Sequence, residues 1–157
     1  MISGVSEINL HDSLNFAGSR SDTVLVDSST IKRYFAPILT GNTNKFKNKF
    51  YSLLGKITSN ENFDLLLLLE DKKRSDNSGI QVLYLVSMKK NGDYIASLKA
   101  VVYGTKKKAA YNINSCLYKG NRIVQDSKIV TSQQQFDDLT YYRISQGGRF
   151  VIDLNNQ

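Results

Sequence analysis

Gly79-Ile-Gln-Val-Leu-Tyr-Leu-Val-Ser-Met88 runs through Lys89-Lys90 into Asn91-Gly92, and Asp93-Tyr-Ile-Ala-Ser-Leu-Lys-Ala-Val-Val-Tyr103 follows. Asn-Gly between two apolar, β-branched runs is the strongest short-range hairpin signal. A type I′ turn needs positive φ at both central residues, and Asn and Gly tolerate that best. A two-residue loop there sets a register in which Lys90 faces Asp93, Met88 faces Ile95, Leu85 faces Leu98 and Leu83 faces Ala100. Successive side chains alternate between faces. One face then carries Leu83, Leu85, Ala96, Leu98, Ala100 and Val102. The other carries Ile80, Val82, Tyr84, Val86, Met88, Ile95 and Val101. Both faces are apolar, so this hairpin is expected to be covered on both sides, by another sheet or by an N-terminal helix.

Toward the C-terminus the pattern repeats. Tyr111 to Tyr118 turns at Gly120-Asn121 into Arg122 to Val130, and Leu139 to Ile144 turns at Gly147-Gly148 into Arg149 to Leu154. Gly92, Gly120 and Gly148 are spaced by 28 residues, and each leads into a similar strand. A propeller built on that spacing needs about four blades of four strands. A chain of 157 residues cannot supply them. Toward the N-terminus, Ser59-Asn-Glu-Asn62 reads as a turn joining strands 50–58 and 63–70. Phe46, Phe50, Leu54 and Ile57 also share a helical stripe, so residues 44–57 fit a helix or a strand, with Gly55 favouring the strand. Asp27-Ser-Ser-Thr30 offers N-cap chemistry to a short helix over about residues 29–40, which Pro37 ends or bends. Residues 1–28 are rich in Ser, Asn and Asp and read as an N-terminal arm, mobile over 1–20, with Leu10, Leu14 and Phe16 as sparse apolar anchors. The expected fold is α+β and β-dominated. It is an antiparallel meander of hairpins, as a sandwich or a partly open barrel, with one short N-terminal helix, and residues 29–157 form a single domain.

Four segments carry a likeness to known proteins: Tyr51-Ser-Leu-Leu-Gly-Lys-Ile57, Phe63-Asp-Leu-Leu-Leu-Leu68, Val82-Leu-Tyr-Leu-Val86 with Asn91-Gly-Asp-Tyr-Ile-Ala-Ser-Leu98, and Tyr142-Arg-Ile-Ser-Gln-Gly-Gly-Arg-Phe-Val151. Over roughly residues 50–152 the chain resembles the small β-rich envelope proteins, many of them lipoproteins, of Bacteroidetes bacteria. The resemblance implies a periplasmic or outer-membrane-anchored location. Met1-Ile-Ser-Gly-Val-Ser-Glu7 has neither the basic nor the apolar region of a secretion leader, and the lone Cys116 equally suits the cytoplasm.

The residue inventory removes several chemistries. One Cys excludes an internal disulfide and a thiolate zinc cluster, and one His excludes a two-histidine metal site. His11 beside Asp12 lies in the arm, without the rigid scaffold a catalytic pair needs. Cys116 is remote in sequence from that base and reads as a packing thiol. The carboxylate pairs Glu70-Asp71 and Asp137-Asp138 are adjacent on strands, so their members point to opposite faces. They read as solubilising charge. No phosphate-loop or nucleophile-elbow motif is present. The expectation is a protein without catalytic residues, metal or cofactor.

Charge is the distinctive feature. Lys and Arg number 21 against 14 Asp and Glu, giving +7. Residues 28–60 contain six basic residues and no acidic one, and Lys45, Lys47 and Lys49 there interleave with Phe46, Phe50 and Tyr51. The hairpin register brings Lys72-Lys73-Arg74 to the same end of the sheet as Lys106-Lys107-Lys108. These nine cations are the candidate binding residues. They point to a non-enzymatic interaction protein that meets an acidic protein surface or a surface polyanion. The alternatives are an immunity protein that neutralises a toxin, a nucleic-acid-binding module, and a barrel holding a small ligand or lipid.

Overall fold

The computed structural model describes residues 4–18, 24–39, 49–58, 60–72 and 79–156. Among these, ten strands form one antiparallel sheet. They are β1 (Ser13–Asn15), β2 (Val24–Val26), β3 (Lys49–Thr58), β4 (Phe63–Lys72), β5 (Ile80–Lys89), β6 (Tyr94–Lys106), β7 (Ala109–Tyr118), β8 (Arg122–Val130), β9 (Gln135–Ile144) and β10 (Phe150–Ile152). From β2 to β10 every strand pairs with its neighbour in sequence, so the sheet is an unbroken meander that ends in two edges and does not close. One helix, α1 (Ser28–Tyr34), precedes β3. Asp27 caps it, accepting from the Thr30 N–H at 2.7 Å. Pro37 follows in a 3-10 turn, Ala36–Leu39, where the α-helix has ended. Residues 49–58 are strand, and 44–48 lie outside the described residues.

Both faces of the central hairpin are covered, by different layers. Leu65, Leu67, Leu83 and Leu85 pack with Leu117, Ile123 and Ile144 of β7–β9, so one core lies between the two limbs of the folded sheet. Leu66, Leu68, Val82, Tyr84 and Val86 pack under Ile31 and Phe35 of the helical segment. The alternating apolar residues of β4, all leucine from Leu65 to Leu69, supply both cores at once. Tyr111 and Ile113 pack on the helix-side core, whereas Leu117, on the same face of β7, packs between the limbs. The sheet therefore twists from one core to the other along β7.

The turn at Asn91-Gly92 differs from the expected type I′. Only Gly92 has positive φ, at 93°. The Gly92 N–H donates to the Lys89 carbonyl at 2.9 Å, and the Lys89 N–H donates to the Asp93 carbonyl at 2.8 Å. That is a three-residue loop closed by a glycine bulge. Asn91 favours it because its side-chain oxygen accepts from the Asp93 N–H at 3.0 Å. The register shifts accordingly. Met88 faces Tyr94 instead of Ile95, Leu85 faces Leu98 as expected, and a second bulge makes Leu83 face Val101 instead of Ala100. The bulges move Ile95 and Val101 to the core between the limbs and Val102 to the helix-side core. The same loop recurs at Gly148, with the Ser145 N–H donating to Arg149 and the Gly148 N–H to Ser145. The two-residue turn with positive φ at both positions lies instead at Lys107 and Lys108, at 48° and 62°, between the paired Lys106 and Ala109.

Residues 4–18 are not the loose arm their composition suggests. β1 pairs with β7, setting Leu14 opposite Leu117. Ile8, Leu10 and Leu14 pack on the core between the limbs, where Phe16 is buried. Earlier in the chain, Glu7 bridges to Lys56 in parallel. Ile8 lies over Gly55, where any side chain would collide with it. β2 covers the other half of the same edge of β3. The arm thus blunts an edge that would otherwise be open to foreign strands.

Candidate functional site

A groove of about 630 Å³ lies on the helix side of the sheet. Pro37, Ile38 and Leu39 form one wall, and Lys99, Lys106, Tyr111 and Ile113 the other. Its floor follows the register across β3 to β7: Tyr51 pairs with Glu70, Glu70 with Val82, Val82 with Val102, and Val102 with Ile113. Side chains paired in this way share a face, so one row of the sheet delivers three apolar positions, Val82, Val102 and Ile113, beside a carboxylate.

That carboxylate is the main electrostatic surprise. Glu70 is 5% exposed. The Lys49 ammonium donates to Glu70 Oε1 at 2.6 Å, and the Tyr51 hydroxyl donates to Oε2 at 2.7 Å. Tyr84 lines the same groove beside it. Burial first, then the adjacent Glu70, pushes both tyrosine hydroxyls well above their ordinary range. Two sequence-based expectations change here. Glu70 is not solubilising charge, although Asp71 beside it does point outward and is exposed. Lys49 is not a free cation, since it is committed to Glu70 in an ion pair whose side chains are 15% and 7% exposed. The signal for both was the Lys49/Tyr51/Glu70 spacing across the β3–β4 hairpin. A bulge between Leu53 and Gly55 hid it, by shifting the pairing count by one residue.

The other candidate cations divide by position. Lys45, Lys47, Lys73 and Arg74 lie outside the described residues. Lys72 ends β4 opposite Lys49. Glu70 pairs with Val82, and Ile80 pairs with Gly104, so Lys72 lies at the same end of the sheet as Lys106–Lys108. Lys106, Lys107 and Lys108 are exposed, as is Lys99. Among the described residues none of these four has an ion-pair partner. Lys99 and Lys106 stand on the same strand with Val102 between them, which puts cations along the groove wall as well as on the rim.

His11 and Cys116 are not brought together. β1 places Asn15 opposite Cys116, and the Asp12 carbonyl accepts from the Lys119 N–H, which sets His11 beyond the far end of β7. Cys116 instead shares a face of β7 with Tyr118, two residues on. Asp137 and Asp138 are exposed on β9, where they accept from Gln135 and Thr140. Among the described residues no helix is long and apolar enough to cross a membrane. No protein-family model, curated protein or solved structure matches the chain.

Proposed function

We propose that this is a non-enzymatic binding protein that recognises an acidic partner, a protein surface or a polyanion, at the basic end of its sheet. The carrying observation is that Lys72 of β4 and Lys106, Lys107 and Lys108 at the β6–β7 turn lie at the same end of the sheet, on either side of β5, with Lys99 and Lys106 continuing the cations into the groove. Among the described residues the groove's one carboxylate, Glu70, is already neutralised by Lys49, so its electrostatic appeal is to anions. The turn geometry supports the same reading. Left-handed φ at Lys107 and Lys108 is unfavourable for both residues, and asparagine and glycine would fill the turn better. Strain of that kind persists where the side chains serve something other than the fold. A bacterial-envelope setting belongs to the proposal through the likeness of the hairpin segments alone.

The turn supplies its own test. Lys107→Asn with Lys108→Gly removes two charges and relieves the strain, so this variant should be more stable than the parent by about 1 kcal/mol. Its affinity for heparin and for poly-glutamate, measured at two salt concentrations, should fall, and the salt dependence should flatten. Lost binding in a protein that melts higher cannot be blamed on unfolding. Unchanged affinity and an unchanged salt slope would reject the basic end as the site.

A further inference from the structure

At the other end of β7 from the lysine turn, the outward face of β7–β9 carries an arrangement that the basic rim does not explain. Arg122 on β8 is paired directly with Arg143 on β9, and both are exposed. Like charges directly opposite on an antiparallel pair destabilise it. No carboxylate among the described residues forms an ion pair with either arginine. Asp153 borders the same shallow cavity of about 190 Å³. Its carboxylate, however, is taken up by its own C-terminal turn, accepting from the Asn155 N–H at 3.2 Å and from Asn156 Nδ2 at 2.7 Å. Two tyrosines flank the arginines on the same face. Tyr118 is paired with Arg122, and Tyr141 precedes Arg143 by two residues and is paired with Val124. Tyr118 is 38% exposed.

We infer that this face binds a nucleotide unit, the phosphate held between Arg122 and Arg143 and the base stacked on Tyr118 or Tyr141. Guanidinium forks match phosphate oxygens two at a time, and an anion between two of them turns a repulsion into a bridge. Tyr118, exposed, and Tyr141, half-buried, give a base a flat partner whatever its identity. The pairing of aromatic rings with arginines favours a nucleotide over a sulfated or carboxylated polyanion, which has no aromatic base to stack. The shared chemistry has two sources, a free nucleotide or a single strand of nucleic acid.

The probe is a fluorescein-labelled dT12 oligonucleotide, followed by anisotropy over a salt series. Arg122→Ser with Arg143→Ser should weaken binding at least tenfold and lower the slope of log affinity against log salt by about 0.7, the value for one phosphate contact on a single strand. Tyr118→Ala with Tyr141→Ala should weaken dT12 binding about tenfold while leaving inorganic polyphosphate binding as it was. The Lys107→Asn, Lys108→Gly protein should keep the dT12 response to both double substitutions, which separates this face from the basic rim. Competition by dTMP at low concentration would identify a free nucleotide as sufficient, and binding of dT12 without such competition would identify a strand; both support the assignment. The arginine variant should melt no lower than the parent, because it removes a repulsion. Should it fail to fold, Arg122→Lys with Arg143→Lys keeps the charge and loses the fork, and should weaken binding by an intermediate factor. The assignment is overturned by an absence of dT12 binding, by unchanged binding in either double variant, or by an equal loss of polyphosphate binding when the tyrosines are removed.

Discussion

Glu70 sits near the end of β4 on a face that is otherwise aliphatic and aromatic, and it is tolerated because Lys49 and Tyr51 both donate to it. An ionised carboxylate so placed is costly without its partners, and breaking a buried pair by removing one member costs more than the pair contributes. Glu70→Ala leaves the Lys49 ammonium 15% exposed with nothing to neutralise it. It should destabilise the protein by about 3 kcal/mol in urea denaturation. Glu70→Gln, which retains an acceptor for Tyr51, should cost less. The tyrosines themselves impose a pH dependence. Tyr51 and Tyr84 hold their protons more tightly folded than unfolded, through burial and then through Glu70. Their contribution is fully present below the unfolded tyrosine value of about 10 and is lost as the pH climbs above it. Denaturation midpoints should therefore fall between pH 10 and 11.5. Tyr51→Phe should fall less steeply over that interval, and equal slopes would remove Tyr51 from the account.

Among the elements, the paired turns at Gly92 and Gly148 separate conformational strain from packing. Their backbones are alike, with φ of 93° and 81°. A methyl group at Gly92 would meet only the Tyr34 ring, at 3.5 Å, whereas one at Gly148 would press into Ser87 Oγ with Ile95 at 3.0 Å and Phe63 at 3.2 Å. Gly92→Ala should cost about 1 kcal/mol and Gly148→Ala clearly more, about 2–3 kcal/mol, with the difference reporting how tightly the last hairpin seats on β4 and β5. Equal costs in chemical denaturation would mean that the seat is loose. The same elements show what the amino-acid pattern can and cannot disclose. Hairpin positions were legible because glycine, asparagine and alternating apolar residues act within a few positions of one another. The registers were not, because the bulges near Leu54, Ile95 and Ala100 each insert one residue, and one residue reverses which face a side chain joins. That is why Val101 and Val102 exchanged cores, and why the Lys49–Glu70 pair at the candidate site went unseen. The arm was misjudged because Leu14 finds Leu117 about a hundred positions away, beyond any local signal.

For the molecule as a whole, the question is what holds the two limbs of the sheet in place where β6 and β7 part company. They pair only from Val102 to Lys106, and β1 takes over the edge of β7 beyond Asn114. A buried polar bridge crosses the gap. Gln125 of β8 donates through Nε2 to the Lys99 carbonyl of β6 at 2.8 Å and to Ser115 Oγ of β7 at 3.0 Å. Lys99 is the residue before the bulge at Ala100, so this side chain satisfies a backbone group that the parting strands leave without a ladder partner. Gln125→Ala strands both acceptors and should cost about 2 kcal/mol. Amide exchange around Ala100 should rise along with it. Exchange that is unchanged there would locate the restraint elsewhere, in the packing of Leu117 and Ile123.

The meander also dictates an order of assembly. From β2 onward each strand meets its partner as soon as the next one has been made, so a growing chain can lay the sheet down progressively behind the ribosome. Among the described strands β1 breaks the sequence: it is synthesised before the other nine, yet it belongs to β7. At about 5–20 residues per second, its partner arrives many seconds later. Leu10, Leu14 and Phe16 stay without their final burial throughout that wait. Closing the first segment onto the seventh strand is then the step that converts a nascent hairpin array into the finished protein, and it is the interval in which a chaperone would have something to hold.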